Sequence, residues 1–244
     1  ENLGDPEEDQ RDLITDTNSS LVTLQGPPGT GKTSYTIAPA VLGRIHAGMK
    51  AEASQIGVVS ALSHDAVNEA LEKVAEIRDD CPPGTDDDEV ELIRVCSSGS
   101  QTSDFADTNI VYHWDEQADQ IDRVVEEYLI EPADDSHAVF FGPPGSIRSL
   151  IDRRAELFAD AAGLDPEEIA GTGIPAQNTD DEDSPGVEDL MLRDLVTCFD
   201  FGVVDEASMM DLPLFFLLTA FIKERSQVIL VGDHRQMQPI QKHD

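Results

Sequence analysis

Eight residues near the start of the chain, GPPGTGKT from Gly26 to Thr33, carry the spacing G-x-x-x-x-G-K-[ST]. Each residue type there suits one task on a polyphosphate. Gly26, Gly29 and Gly31 let the backbone bend so that successive N–H groups converge on an anion, and a helix opening behind them adds the positive end of its dipole. Lys32 places a compact cation on the β and γ phosphates, and the Thr33 hydroxyl ligates magnesium. With Thr30 and Ser34 alongside, these residues form a candidate cofactor site for ATP and Mg²⁺.

A phosphate loop alone hydrolyses nothing. Turnover also needs a carboxylate for the hydrated metal and a second group for the attacking water, both at the carboxyl end of a neighbouring strand. DFGVVDEAS supplies them: Asp205 ends an apolar run and Glu206 follows directly. Asp205 is the expected metal ligand, with Thr33, and Glu206 the expected catalytic partner of the water. In SQVILVGDHRQMQPI another apolar run ends in a polar cluster. Gln236 of that cluster is a candidate sensor of the γ phosphate.

GPPG occurs a second time, at Gly142, in HAVFFGPPGSIRSLIDRR. Ser146, Ile147 and Arg148 stand where Gly-Lys would be required, so a second ATP site is excluded. The stretch still follows a strand-like run and precedes a helical one. Its backbone N–H groups could hold another phosphate at a helix N-terminus, or it could be a plain turn.

These residues need a scaffold that brings them to one edge. Short apolar runs at 21–24, 56–60, 92–95, 138–141, 201–204 and 228–231 alternate with helix-period segments, clearest at 65–77 and 116–129, which is the pattern of a parallel α/β sheet covered on both faces. The apolar stretch 212–222 is about half the length needed to span a bilayer and reads as a buried helix. Turn-rich acidic residues at 79–89 and a polar stretch at 171–186 interrupt the scheme. Tyr112, His113 and Trp114 could stack bases, but without basic neighbours core packing or a hinge is the better reading.

Fifty acidic residues against sixteen basic ones in 244 give a formal charge of −34. The carboxylates are spread through segments with apolar periodicity, which argues against an acidic disordered tail. Molar salt shortens the Debye length to about 3 Å, so dense like charges repel far less there. A halophilic source is the expectation. Three cysteines without CxxC spacing argue against a disulfide framework and a zinc site, and no signal peptide or membrane span is visible, so the expected compartment is the cytoplasm.

GPPGTGKT, VVDEAS and VGDHRQMQP, in that order, resemble the first RecA-like domain of superfamily 1 helicases, in the branch that includes senataxin and the RNA helicase of nonsense-mediated decay. Gln10 in PEEDQRDLI stands where this family carries an adenine-recognising glutamine. GVVSALSHDAVNEALEKV looks like the motif after the second strand that contacts the nucleic-acid backbone, with Ser63 and His64 at those positions; the second is often Asn. In the family the strand matching 138–141 ends in a turn that also touches nucleic acid, which makes Gly142, Ser146 and Arg148 candidates beside Ser63. The resemblance implies a RecA-like P-loop NTPase domain over residues 1–244 with insertions at 97–135 and 163–189. It also implies a second RecA-like domain as partner, and ATP hydrolysis coupled to movement along single-stranded DNA or RNA. The rivals are an AAA-type ATPase, which can share GPPGTGKT, and a binding fragment that turns nothing over by itself.

Overall fold

The computed structural model describes residues 8–16, 18–26, 31–80, 90–96, 110–113, 118–162 and 196–233. Gly29, Thr30, Trp114, Gln236 and the stretch 163–189 lie outside them.

Seven strands form one sheet: β1 Leu21–Gln25, β2 Gln55–Ser60, β3 Val90–Cys96, β4 Ile110–His113, β5 His137–Phe141, β6 Phe199–Val204 and β7 Ile222–Gly232. Their spatial order is β1-β7-β6-β2-β5-β3-β4, and every pairing is parallel. The α/β class expected from the alternating runs is therefore the one observed. Six strands fall on the six apolar runs; in the strands inside the sheet both faces are covered and both must be apolar, whereas β1, at the margin, leaves alternate residues exposed. Val59 and Phe141 face one core cluster while their neighbours Val58 and Phe140 face the other.

Helices fill both faces. The first cluster packs under α1 Glu8–Thr15, α2 Ala38–Lys50 and α3 His64–Asp79; the second packs under α4 Ala118–Val125, α5 Pro144–Ala162 and α6 Leu212–Ala220. Asn68, Ala70, Leu71, Val74 and Ala75 bury one side of α3, and the Ser63 hydroxyl caps its first turn by accepting from the Ala66 N–H at 3.1 Å. Losing such a cap costs about 1 kcal/mol.

Among the described residues, two π-turns interrupt regular α geometry. A π-turn, Lys32–Ile37, precedes α2, and the Ala38 N–H reaches back to the Thr33 carbonyl. Pro39 explains it: lacking an N–H, proline cannot continue an i→i−4 ladder, and the wider turn upstream accommodates its ring. The helical periodicity expected over 116–129 is likewise divided between α4 and a π-turn, Glu126–Ile130.

The stretch 212–222 differs from its expectation. Its helix ends at Ala220, and Ile222 already belongs to β7. Leu218 is buried, but Leu212 and Phe216 are 68% and 63% exposed. The segment is apolar all round, so its sequence could not reveal which face the sheet covers.

Candidate functional site

The order of strands decides which loops meet. Ladder hydrogen bonds continue one step beyond the strands: Gly26 N–H donates to Gly232 O at 3.1 Å, Asp205 N–H to Ser60 O at 2.8 Å, and Gly142 N–H to Val59 O at 3.2 Å. Residues 26, 205, 232, 61–63 and 142 thus leave the sheet at one level, along its carboxyl edge. With strands about 4.8 Å apart, the phosphate-loop end and the Asp205 end are separated by β7 alone. On the other side of β6 come the ends of β2 and then β5.

At β1, Gly31 has φ 70° and ψ 25°, the left-handed conformation that a glycine adopts without strain. It turns the chain into the π-turn that begins at Lys32. The Lys32 ammonium donates to the Gly26 carbonyl at 2.7 Å, so the two ends of the GPPGTGK stretch are joined through its own lysine. Thr33 follows, half-buried, with Ser34 behind it in the same turn.

At β6, Asp205 is only 7% exposed. Burial pushes its carboxyl up to about 6; the Glu206 carboxylate pushes the same way, while the Glu206 N–H bonded to it and the Lys32 charge oppose. That N–H donates to Asp205 Oδ1 at 2.8 Å. A buried carboxylate held in this unfavourable state is what a cation relieves. Among the described residues no three His, Cys, Asp or Glu side chains gather as a metal cluster. Mg²⁺, however, is commonly held by one or two protein oxygens, with water and phosphate completing its shell. Thr33 and Asp205 fit that demand.

Glu206 itself is strained. Its φ of 52° and ψ of 30° place a non-glycine residue in the left-handed region, at a cost on the order of 1–2 kcal/mol. The turn aims it toward β2, where the Ser63 hydroxyl donates to its Oε2 at 3.4 Å. Ser63 therefore caps α3 and touches Glu206 with the same oxygen.

Gln10 lies on α1, buried against the first core cluster's face. The segment behind it is pinned by Gln227, whose amide donates to the Asp16 and Ser19 carbonyls at 2.9 and 2.6 Å, and by Arg44, which donates to the Asp16 carbonyl and to Gln227. Burial lowers Arg44 to about 10, partly offset by Asp16.

Ser63, His64 and Gly142 come together because β2 and β5 are paired. Ser146 is in the first turn of α5, and Arg148 points outward, 63% exposed and loosely paired with Asp152 at 3.5 Å. Tyr112 and His113 sit on β4, paired with Val95 and Cys96, two strands beyond β5.

Two residues were not foreseen from sequence. Ser208 accepts the Asp233 N–H on its hydroxyl at 3.2 Å, and a Cβ on Gly232 would stand 3.1 Å from the Ser208 N. The turn after Asp205 is thereby locked to the end of β7. Arg94, in the middle of an apolar strand, is fully buried beneath the β2 and β5 turns. A charged residue flanked by Leu92, Ile93 and Val95 was the available signal.

A protein-family model described as an AAA domain matches residues 10–242. No curated protein matches the chain. Among solved structures, a nuclease-deletion mutant of the Type ISP restriction-modification enzyme LlaGI in complex with a DNA substrate mimic is similar at 13% identity and a TM-score of 0.47. The alignment covers 92% of this chain and 17% of that one. Among the described residues, no helix is long and apolar enough to cross a membrane.

Proposed function

This chain belongs to the AAA-domain family, and from that premise we propose that it is the first RecA-like ATPase domain of a superfamily 1 helicase. It binds ATP and Mg²⁺ and couples hydrolysis to movement along single-stranded DNA or RNA. Residues 1–244 form one such unit, with insertions at 97–135 and 163–189, and a second RecA-like domain completes the motor. The senataxin-like branch, a cytoplasmic location and a salt-adapted source belong to the same reading. Support for the last comes from the formal charge of −34.

The observation that carries the proposal is the hydrogen bond from Ser63 to Glu206 at 3.4 Å. One end of it belongs to the expected strand track and the other to the expected hydrolytic pair. Lys32 leaves the Gly26 carbonyl to meet the γ phosphate. Thr33 and Asp205 would hold the metal, which when bound offsets phosphate charge and orients the polyphosphate. Glu206 orients the attacking water. A strand that draws the Ser63 hydroxyl toward its own phosphate changes what Glu206 is bonded to, so strand and nucleotide sites share one movable contact. Ser208 ties the Asp205 turn to β7, whose continuation carries Gln236, the proposed reporter of the γ phosphate.

Phosphate release, measured in molar KCl with Mg²⁺, with and without single-stranded DNA or RNA, tests this. The expected outcome is turnover that requires Lys32 and rises with one of the two nucleic acids. ATP binding that requires Lys32 but produces no turnover would favour the fragment reading, in which the second domain supplies catalysis. Turnover indifferent to every nucleic acid would favour an AAA-type ATPase of another kind.

A further inference from the structure

Arg94 lies wholly out of solvent, on β3. Its Nε donates to Asn68 Oδ1 at 2.9 Å, and its Nη1 to the Val95 and Phe141 carbonyls at 2.6 and 3.3 Å. Nη2 meets His64 Nδ1 at 2.9 Å. These partners are a carboxamide, two carbonyls and an imidazole, none of them an anion. Burying a guanidinium on neutral partners is unfavourable unless every hydrogen bond is well made. Two of these bonds also fix something at the carboxyl edge: Phe141 is the last residue before the Gly142 turn, and His64 is the first after Ser63.

A guanidinium has donors only and keeps its charge in proteins. The His64 nitrogen facing it must therefore accept. Nδ1 carries the lone pair, the ring proton sits on Nε2, and Nε2 points away from the buried guanidinium on a side chain that is half-exposed. We propose that Arg94 is a positioning residue of the strand track: it occupies the Nδ1 lone pair of His64 and leaves the imidazole neutral, with Nε2–H as a fixed donor to a phosphate oxygen of the bound strand. This rests on the strand-binding reading above.

Electrostatics reinforce the geometry. Burial first, then the Arg94 charge, hold His64 below its ordinary value, against a smaller opposing pull from Asp65. Helix α3 packs against β2, β3, β5, α2 and the π-turn before it. From these elements β3 presents Arg94, with Cys96 beside it, and α3 itself presents Asp65; Glu206 faces the adjoining Ser63. Acid can protonate His64 only by breaking its bond to Arg94.

Protein labelled with ¹⁵N-histidine tests the assignment in the unaltered chain. Long-range ¹H–¹⁵N correlations should show His64 as the neutral Nε2–H form at pH 7.5, and between pH 7.5 and 5.5 its titration should fall below the ordinary value. In Arg94→Gln, His64 should titrate at a higher pH than in the wild type, still below its ordinary value because burial remains. Binding of a fluorescent dT oligonucleotide should be flat with pH across that window in the wild type. In Arg94→Gln it should tighten about five-fold at pH 5.5, the effect of one new charge beside a phosphate in water. His64→Ala should weaken binding about ten-fold, and His64→Asn, whose carboxamide offers an acceptor and a donor, should restore it to within about two-fold. An Nδ1–H imidazole, titration at the ordinary value in the wild type, or binding unchanged by His64→Ala would overturn this proposal alone. A wild-type protein that binds no oligonucleotide would overturn the strand reading and the donor role with it. Should Arg94→Gln fail to fold, the wild-type spectrum still decides the tautomer.

Discussion

The two GPPG stretches share four residues, keep a hydroxyl at the fifth, and differ decisively at the sixth. In the first, Gly31 takes φ 70°, and the chain turns left-handed into Lys32. In the second the matching residue is Ile147, which lies inside α5 and is fully buried in the second core cluster. A β-branched residue has almost no access to positive φ. The second stretch therefore passes straight from β5 into a helix with Pro144 as its first residue, a position that proline suits. The hydroxyls diverge as well. Thr33 stands where a metal is expected, whereas Ser149 Oγ is spent on the Gly145 carbonyl at 3.1 Å. One isoleucine that anchors a helix to the sheet is enough to close off a phosphate loop whose first four residues are intact.

The contrast predicts unequal responses at matching positions. Lys32→Ala should lower ATP turnover about 10³-fold, the scale of losing a main electrostatic stabiliser, while Arg148→Ala leaves nucleotide binding unchanged. Next in size is the attempt to convert one stretch into the other. Ser146→Thr, Ile147→Gly and Arg148→Lys together give the second stretch the full spacing, yet denaturant unfolding should show a loss of about 3 to 4 kcal/mol from the vacated core and the helical glycine. No nucleotide binding should appear. ATP binding by that triple variant in a Lys32→Ala background would break the comparison.

Asp205→Asn comes third and has a sign that depends on pH. The carboxyl is raised in the fold, so its ionisation destabilises the folded state; the penalty is absent below about 4, grows between 4 and 6, and is complete above 6. Without metal, the variant should gain about 2 to 3 kcal/mol at pH 7.5 and nothing at pH 3.5, and Mg²⁺-dependent turnover should be lost. In the wild type, protonation should weaken Mg²⁺ binding below pH 6. Smallest are the glycines. Gly31→Ala should destabilise by about 1–2 kcal/mol through left-handed strain. Gly145→Ala, with no heavy atom within 4 Å of the added Cβ, should stabilise α5 by about 0.5 to 1 kcal/mol. Thermal melts of the two distinguish a required glycine from an incidental one.

The main features of the edge were legible because apolar runs mark doubly covered strands and because the phosphate loop, Asp205 and Glu206 each stand where a run stops. β4 escaped notice: Ile110–His113 is four residues long and ends in polar aromatics. The pairing of β6 with β7 shifts register between Phe199 and Phe201, since residues 223–226 loop out of the ladder before Gln227 rejoins it. No periodicity announces such a shift. The roles of Ser208 and Arg94 were hidden for a different reason: a charge inside an apolar run marked Arg94 as unusual, but what each residue holds depends on β7, β2 and β5 lying where they do, and sequence spacing does not encode which strands become neighbours.

Among the described strands, β1 stands at the margin of the sheet, and Leu21 on it is 55% exposed. Its amides are shielded by β7 on one side only, so they should exchange with deuterium far sooner than those of β2 or β6. The piece of backbone that delivers the phosphate loop is thus one that can peel open without disturbing the rest. A nucleotide bridging the Gly26 turn and the Asp205 turn would act as a clasp across β7, and slowed exchange in β1 would register its presence even where no phosphate is cleaved.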